Sequence, residues 1–202
     1  MTDWPRFDGT EPMERRFFRL GIDVYVAGRW YLGEPTHLTG QALDDVWEFC
    51  HGRPVEVRER LRVPIDRPGK PLDFDTAGVG QAPIANARVA SVFREMAPND
   101  VQLFPIEVQG REETYYLVNV ARTVRCIDDK ASAEVQFYGA EDGWTERSGE
   151  YRSVIGLRID KSTVGDARVF RPWGWPPPVI VDEEIKEALE RTGMVGGQFD
   201  EV

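Results

Sequence analysis

The chain has 202 residues, near the upper size of an ordinary single domain, and its 41% hydrophobic and 11% aromatic content gives too much burial capacity for a disordered protein. Its net charge of −10, 25 basic minus 35 acidic residues, argues against a nucleic-acid binder, which needs surplus Lys and Arg to neutralise phosphates, and fits a basic protein partner better. No apolar run approaches the ~20 residues that span a bilayer, so no membrane role is expected.

The N-terminal stretch from Met1 to Arg19 carries Asp3, Asp8, Glu11 and Glu14 and lacks the apolar core of a secretory leader. The expectation is a cytoplasmic protein whose two cysteines, Cys50 and Cys126, stay reduced. Residues 1–16 read as irregular, and Phe17 to Val26 alternates Phe18, Leu20, Ile22, Val24 and Val26 on one face, a strand signal. Two aromatics between glycines, Gly28-Arg29-Trp30-Tyr31-Leu32-Gly33, then turn the chain.

From Gln41 to Cys50, the apolar residues Leu43, Val46, Trp47 and Cys50 fall at helical spacing behind a Thr39 cap, which predicts a first short helix. Val55 to Ile65 alternates as a strand, and the proline-glycine stretch 64–71 reads as a loop. A second helix is predicted over Asn86 to Met96, with Val89, Val92, Phe93 and Met96 on one stripe. Residues Val101 to Ser132 then read as a hairpin of two long strands, whose second arm places Tyr116, Val118, Val120, Val124 and Cys126 at alternate positions. Further strands are expected at Ala133 to Tyr138, Val154 to Asp160, Ala167 to Phe170 and Val179 to Val181. Asp182 then caps a third helix that presents Ile185, Ala188 and Leu189 and stops at Gly193.

Together these elements predict an α+β fold, a mostly antiparallel sheet built on a long central hairpin, with about three amphipathic helices. The organisation expected is a single domain over 1–202, either undivided or as two lobes, 1–70 and 71–202, sharing one core.

The catalytic inventory is thin. His37 and His51 sit in no metal-ligand spacing, the serines lack a nucleophile elbow, and Thr76-Ala77-Gly78-Val79-Gly80 lacks the lysine of a phosphate loop. Cys50 falls on the buried stripe of the first predicted helix, where thiols are inert packing. No catalytic residue, metal ligand or cofactor is therefore assigned. Asn119, polar in the most strand-like segment, must be hydrogen-bonded if buried, and a structural role is expected. Trp173 and Trp175 flank a glycine ahead of three prolines, a rigid geometry that suits interface anchors or a cover over the core.

The order of segments resembles a bacterial family of polymorphic-toxin immunity proteins, the eleventh such class. The resemblance is carried by Gly28 to Gly33, Leu72-Asp73-Phe74, Tyr115 to Val120, Cys126-Ile127-Asp128-Asp129, Gly156 to Asp160, Val169 to Trp175, and Val179 to Leu189 with Thr192-Gly193. It covers the chain from about residue 17 onward. Met194 to Phe199 departs from the family's tighter Gly-Val-x-Phe ending, so a looser last strand is expected. The resemblance implies a non-enzymatic cytoplasmic protein that binds and neutralises a protein toxin or effector, and the acidic balance suits a basic one. Candidate partner-binding residues are Trp173, Trp175, Asp128 and Asp129. Two other readings stay open: an enzyme using a carboxylate pair such as Asp73 and Asp128, and a protein that self-associates through the edge from Trp173 to Pro178.

Overall fold

The computed structural model describes residues 15–202, so the irregular stretch expected over 1–16 lies, up to residue 14, outside the described residues. In chain order the elements are β1 (Phe17–Ile22), β2 (Tyr31–Leu32), β3 (Thr36–His37), β4 (Leu61–Val63), β5 (Ile65–Arg67), β6 (Phe74–Ala77) and β7 (Ala82–Asn86), followed by α1 (Ala87–Met96). Next come β8 (Val101–Val108), β9 (Tyr115–Val120), β10 (Thr123–Val124), β11 (Glu134–Phe137), β12 (Tyr151–Ile155), β13 (Val169–Pro172) and β14 (Val179–Asp182), then α2 (Glu183–Arg191) and β15 (Gly197–Glu201). The fold is α+β with strands predominating.

An eight-stranded sheet runs β3-β4-β8-β9-β7-β6-β2-β5, a five-stranded one β10-β13-β14-β1-β15, and β11 and β12 form a separate pair. β8 and β9 pair antiparallel from Val101 opposite Val120 to Ile106 opposite Tyr115. The sheets around them are mixed, which corrects the mostly antiparallel sheet expected around one hairpin. β4 lies parallel to β8, β2 parallel to β6, and β10 parallel to β13. Long connections make this possible: β4 and β8 are separated by three strands and a helix, enough chain to return in the same direction. The predicted second arm also stops at Val120, and Thr123–Val124 leaves to join the other sheet.

There are two α-helices among the described residues, and the helix expected over 41–50 is replaced by a single 3-10 turn at Glu48–Cys50. The Asp45 carboxylate accepts from the Trp47 backbone N–H at 2.8 Å, a local turn that competes with helix propagation. The strand expected over 55–65 survives only as β4, and the proline-glycine stretch contains β5, which pairs with β2. The last strand is not loose: β15 pairs with β1 at five successive positions. It is set by Gly196, where a Cβ would fall 2.2 Å from the Phe74 carbonyl oxygen, so the backbone closes tightly.

β9 shows how the layers meet. Val118 and Val120 face an apolar cluster with α1 and α2, while Tyr115 and Leu117 face a second cluster around Trp30 and Phe49. A third cluster joins Phe17, Phe170 and Ile180 to Tyr151, Val154 and Cys126. No helix among the described residues is long and apolar enough to cross a membrane.

Candidate functional site

The 3-10 turn and the irregular backbone after it form one wall of a cleft of about 330 Å³. Their course is fixed by side chains from elsewhere. The Gln102 side chain accepts from the Val55 N–H at 2.8 Å and donates to the Val55 carbonyl at 3.1 Å. Asn119 donates to Gln102 Oε1 and to the Arg53 carbonyl, each at 2.9 Å, so it takes the structural role its position in β9 predicts. Gly52 adopts φ +69°, with Thr123 Oγ1 where a Cβ would lie. Thr123 donates to the Gly52 carbonyl at 2.7 Å.

The cleft has an apolar floor of Leu43, Phe49, Val55, Val57 and Leu61. Around it stand the carboxylates of Asp44, Asp45, Glu48, Glu56 and Glu59, against one arginine, Arg58, and His37. Glu48 pairs with Arg53 and Glu56 with Arg58, each at 3.3 Å, so the excess negative charge beside this low-dielectric wall comes from Asp44, Asp45 and Glu59 and is focused outward. The pair of Asp45 and His51, 2.8 Å apart, holds the Asp45 carboxyl below its ordinary range, with the Trp47 N–H adding to the effect. Trp47 stands half exposed next to this wall, because the lost helix no longer turns it inward. The loop carrying exposed Val79 packs on its backbone, with a Cβ at Gly80 coming 1.9 Å from the Val46 carbonyl oxygen. Helical spacing assigned Trp47 to the core; the signal that could have found it is the Asp45 turn residue two positions earlier.

The residues singled out from the sequence lie elsewhere. Trp173 and Trp175 are half buried, and the Arg125 guanidinium sits 3.4 Å over the Trp173 ring. Between them Gly174, at φ +77°, accepts from the Tyr151 N–H at 2.9 Å. The Tyr151 hydroxyl donates to Asp129 at 2.6 Å, and burial, then Asp129, pushes its phenol above the ordinary value. Tyr151 thus joins Asp129 to the Trp173–Trp175 ledge. Asp128 caps its own loop, accepting from the Lys130 and Ala131 N–H groups at 3.0 Å each.

The profile of an immunity protein family, Imm11, matches residues 18–202. The chain belongs to the Imm11 family. No curated protein matches it. Imm11 membership points to toxin neutralisation in general, and proteins of this family are typically non-enzymatic.

The reactive side chains of this Imm11 protein are held in structural contacts. Burial pushes the Cys50 thiol up, and raises Cys126 to about 12. Asp73 accepts from Asn86 Nδ2 at 2.6 Å and the Val195 N–H at 2.8 Å, and shares no partner with Asp128. Asp45, Glu48 and His51 can bring one ligand atom each within 4.8 Å of one another, the grouping among the described residues best placed to hold a cation. The Asp45–His51 hydrogen bond already satisfies two of those three groups.

Proposed function

We propose that this protein acts in the cytoplasm by binding a protein toxin, and that the acidic cleft receives a basic segment of it. The carrying observation is the set of five carboxylates around an apolar floor, on a backbone pinned by Gln102 and Asn119. A Lys or Arg side chain suits such a site, since its apolar stem can lie on Phe49 and Val57 while its charge meets the rim. Trp47 supplies the exposed aromatic anchor that binding surfaces favour. The ledge of Trp173 and Trp175, with Asp128 and Asp129, is proposed as a second contact, supported by exposed Phe137 and Ile155 on the adjoining β11–β12 pair.

The test is co-expression with toxins encoded beside the gene, followed by binding kinetics. The protein should rescue growth and form a complex whose association slows as salt rises. Among the described residues Asp44 makes no side-chain hydrogen bond and Glu59 only a 3.8 Å contact with His37, so Asp44→Lys with Glu59→Lys should weaken binding about tenfold or more, largely through a slower on-rate. Trp47→Ala should weaken it by about 2 kcal/mol, mainly through faster dissociation. Unchanged binding in the charge-reversed protein would move the interface off this cleft.

A further inference from the structure

A second cleft, of about 230 Å³, opens at the seam between the two large sheets and has the opposite character. Its polar lining is Arg19, Arg171, Thr76 and Gln81, with Phe74 and Trp175 among its apolar walls, and no carboxylate among the described residues lines it. In a chain of net charge −10, such a local excess of cations is unusual.

Arg171 is the source of that excess. It is 1% exposed, and its contacts are neutral: Nη1 donates to the carbonyls of Pro176 at 2.6 Å and Pro177 at 3.0 Å, and Nη2 to that of Phe49 at 3.2 Å. The remaining neighbour is the Cys50 sulfur at 4.0 Å, a thiol that burial keeps protonated. Nε is buried without a hydrogen-bond partner, and no carboxylate among the described residues pairs with the guanidinium. A guanidinium stays protonated inside proteins, so the charge persists where it is poorly solvated, and a buried cation without a counter-ion is costly. Arg19 adds a second charge at the rim, partly offset by Asp200 at 2.6 Å.

We propose that this cleft binds a small organic carboxylate with a ring-sized apolar body, the carboxylate facing Arg171 and Arg19 and the body lying between Trp175 and Phe74. The volume admits an aromatic ring with a short acid arm, since a cavity of about 150 Å³ already holds benzene. The carboxylate supplies the missing counter-charge and an acceptor for Nε, the one guanidinium nitrogen without a partner. This site is separate from the acidic cleft and does not depend on toxin binding.

The test uses the full chain and phenylacetate as probe, followed through the Trp175 indole N–H resonance, itself assigned by its loss in Trp175→Phe. Phenylacetate should shift that resonance saturably and bind about tenfold more tightly than neutral phenylacetamide. Arg171→Gln should abolish the effect. Because Arg171 also ties the 176–177 segment to the 3-10 turn, that variant can fail to fold, and Arg19→Gln, altered at an exposed position, should still weaken binding severalfold. Equal binding of acid and amide, no effect of Arg19→Gln, or no saturation by about 10 mM overturns the proposal. Displacement of phenylacetate by equimolar inorganic phosphate would also overturn it, since the apolar body would then contribute nothing.

Discussion

Asp75 is 1% exposed, and three donors converge on its carboxylate: Arg29 Nη2 at 2.6 Å, Trp30 Nε1 at 3.0 Å and the Thr76 N–H at 2.8 Å. Burial pushes its carboxyl up while those donors pull it down, and burial is the larger influence. Arg29 is itself buried, so Asp75→Asn would leave a guanidinium out of water and unpaired. Asp75→Asn should cost about 3–5 kcal/mol in urea unfolding, and replacing both partners, Arg29→Met with Asp75→Leu, should recover most of the loss. A double variant no better than the single one would show that the pair itself, not the stranded charge, carries the stability. The sequence displays Arg29-Trp30 as a turn motif with aromatics, but it cannot display the carboxylate 45 residues away that explains it. Asn119 was more legible, because a polar residue inside an apolar strand announces that it needs partners. Trp47 was less legible, since helical spacing pointed it inward and only Asp45, two positions earlier, marked the turn that exposes it.

At the scale of elements, both helices begin where the capping side chains say they should. Asn86 accepts from the Val89 N–H at 3.0 Å, and Asp182 from the Ile185 N–H at 2.9 Å. Asn86 also donates to Asp73, linking the start of α1 to the chain just before β6. Asn86→Ala should therefore cost about 2 kcal/mol, the upper end of a cap deletion, and Asn86→Asp no less, because its carboxylate keeps the cap but faces Asp73 in place of the donated hydrogen bond, as thermal unfolding would show. An Asn86→Ala loss of only a few tenths would mean that the cap bond is replaced by water. The stripe over 41–50 is as long as α1 but lacks what α1 and α2 have, a full face against the core, since only Phe49 and Cys50 in it are buried. Its end is instead pinned by tertiary bonds, from Arg171 to the Phe49 carbonyl and from Cys50 to the Gly80 carbonyl. The alternation of β9 was legible, but its consequence was not: both of its faces are buried, each against a different cluster. Parallel partners such as β4 for β8 leave no local period in the sequence at all, so the mixed sheet could not be read from it.

At the scale of the molecule, strands from both sides of residue 70 share the eight-stranded sheet, and Arg171 reaches back to the turn at Phe49. We propose that residues 1–202 unfold as one cooperative unit, and the cysteines provide a direct test, because Cys50 belongs to the first of the two lobes considered and Cys126 to the second. Both are buried, and burial raises both thiols above their ordinary value of 9.0, Cys126 to about 12. Neither should react with a thiol reagent at pH 8 while the chain is folded. In rising denaturant both should become reactive at one midpoint, the same that tryptophan fluorescence reports; separate midpoints for Cys50 and Cys126 would instead show two lobes opening independently. The same shifts fix the alkaline limit of the fold. A group whose folded pKa lies above its unfolded value holds its proton more tightly when folded, so its contribution is complete below the unfolded pKa and is lost as pH rises through the folded one. Stability should then be flat with respect to these thiols up to about pH 8 and decline above 9, by about 1.4 kcal/mol per pH unit for each thiol that ionises only on unfolding. The phenols of Tyr115 and Tyr151, also raised by burial, steepen the decline above their ordinary value of 10.0. Cys126→Ala should remove one thiol's share of that slope between pH 9 and 12, and an unchanged slope would place the alkaline transition on other groups.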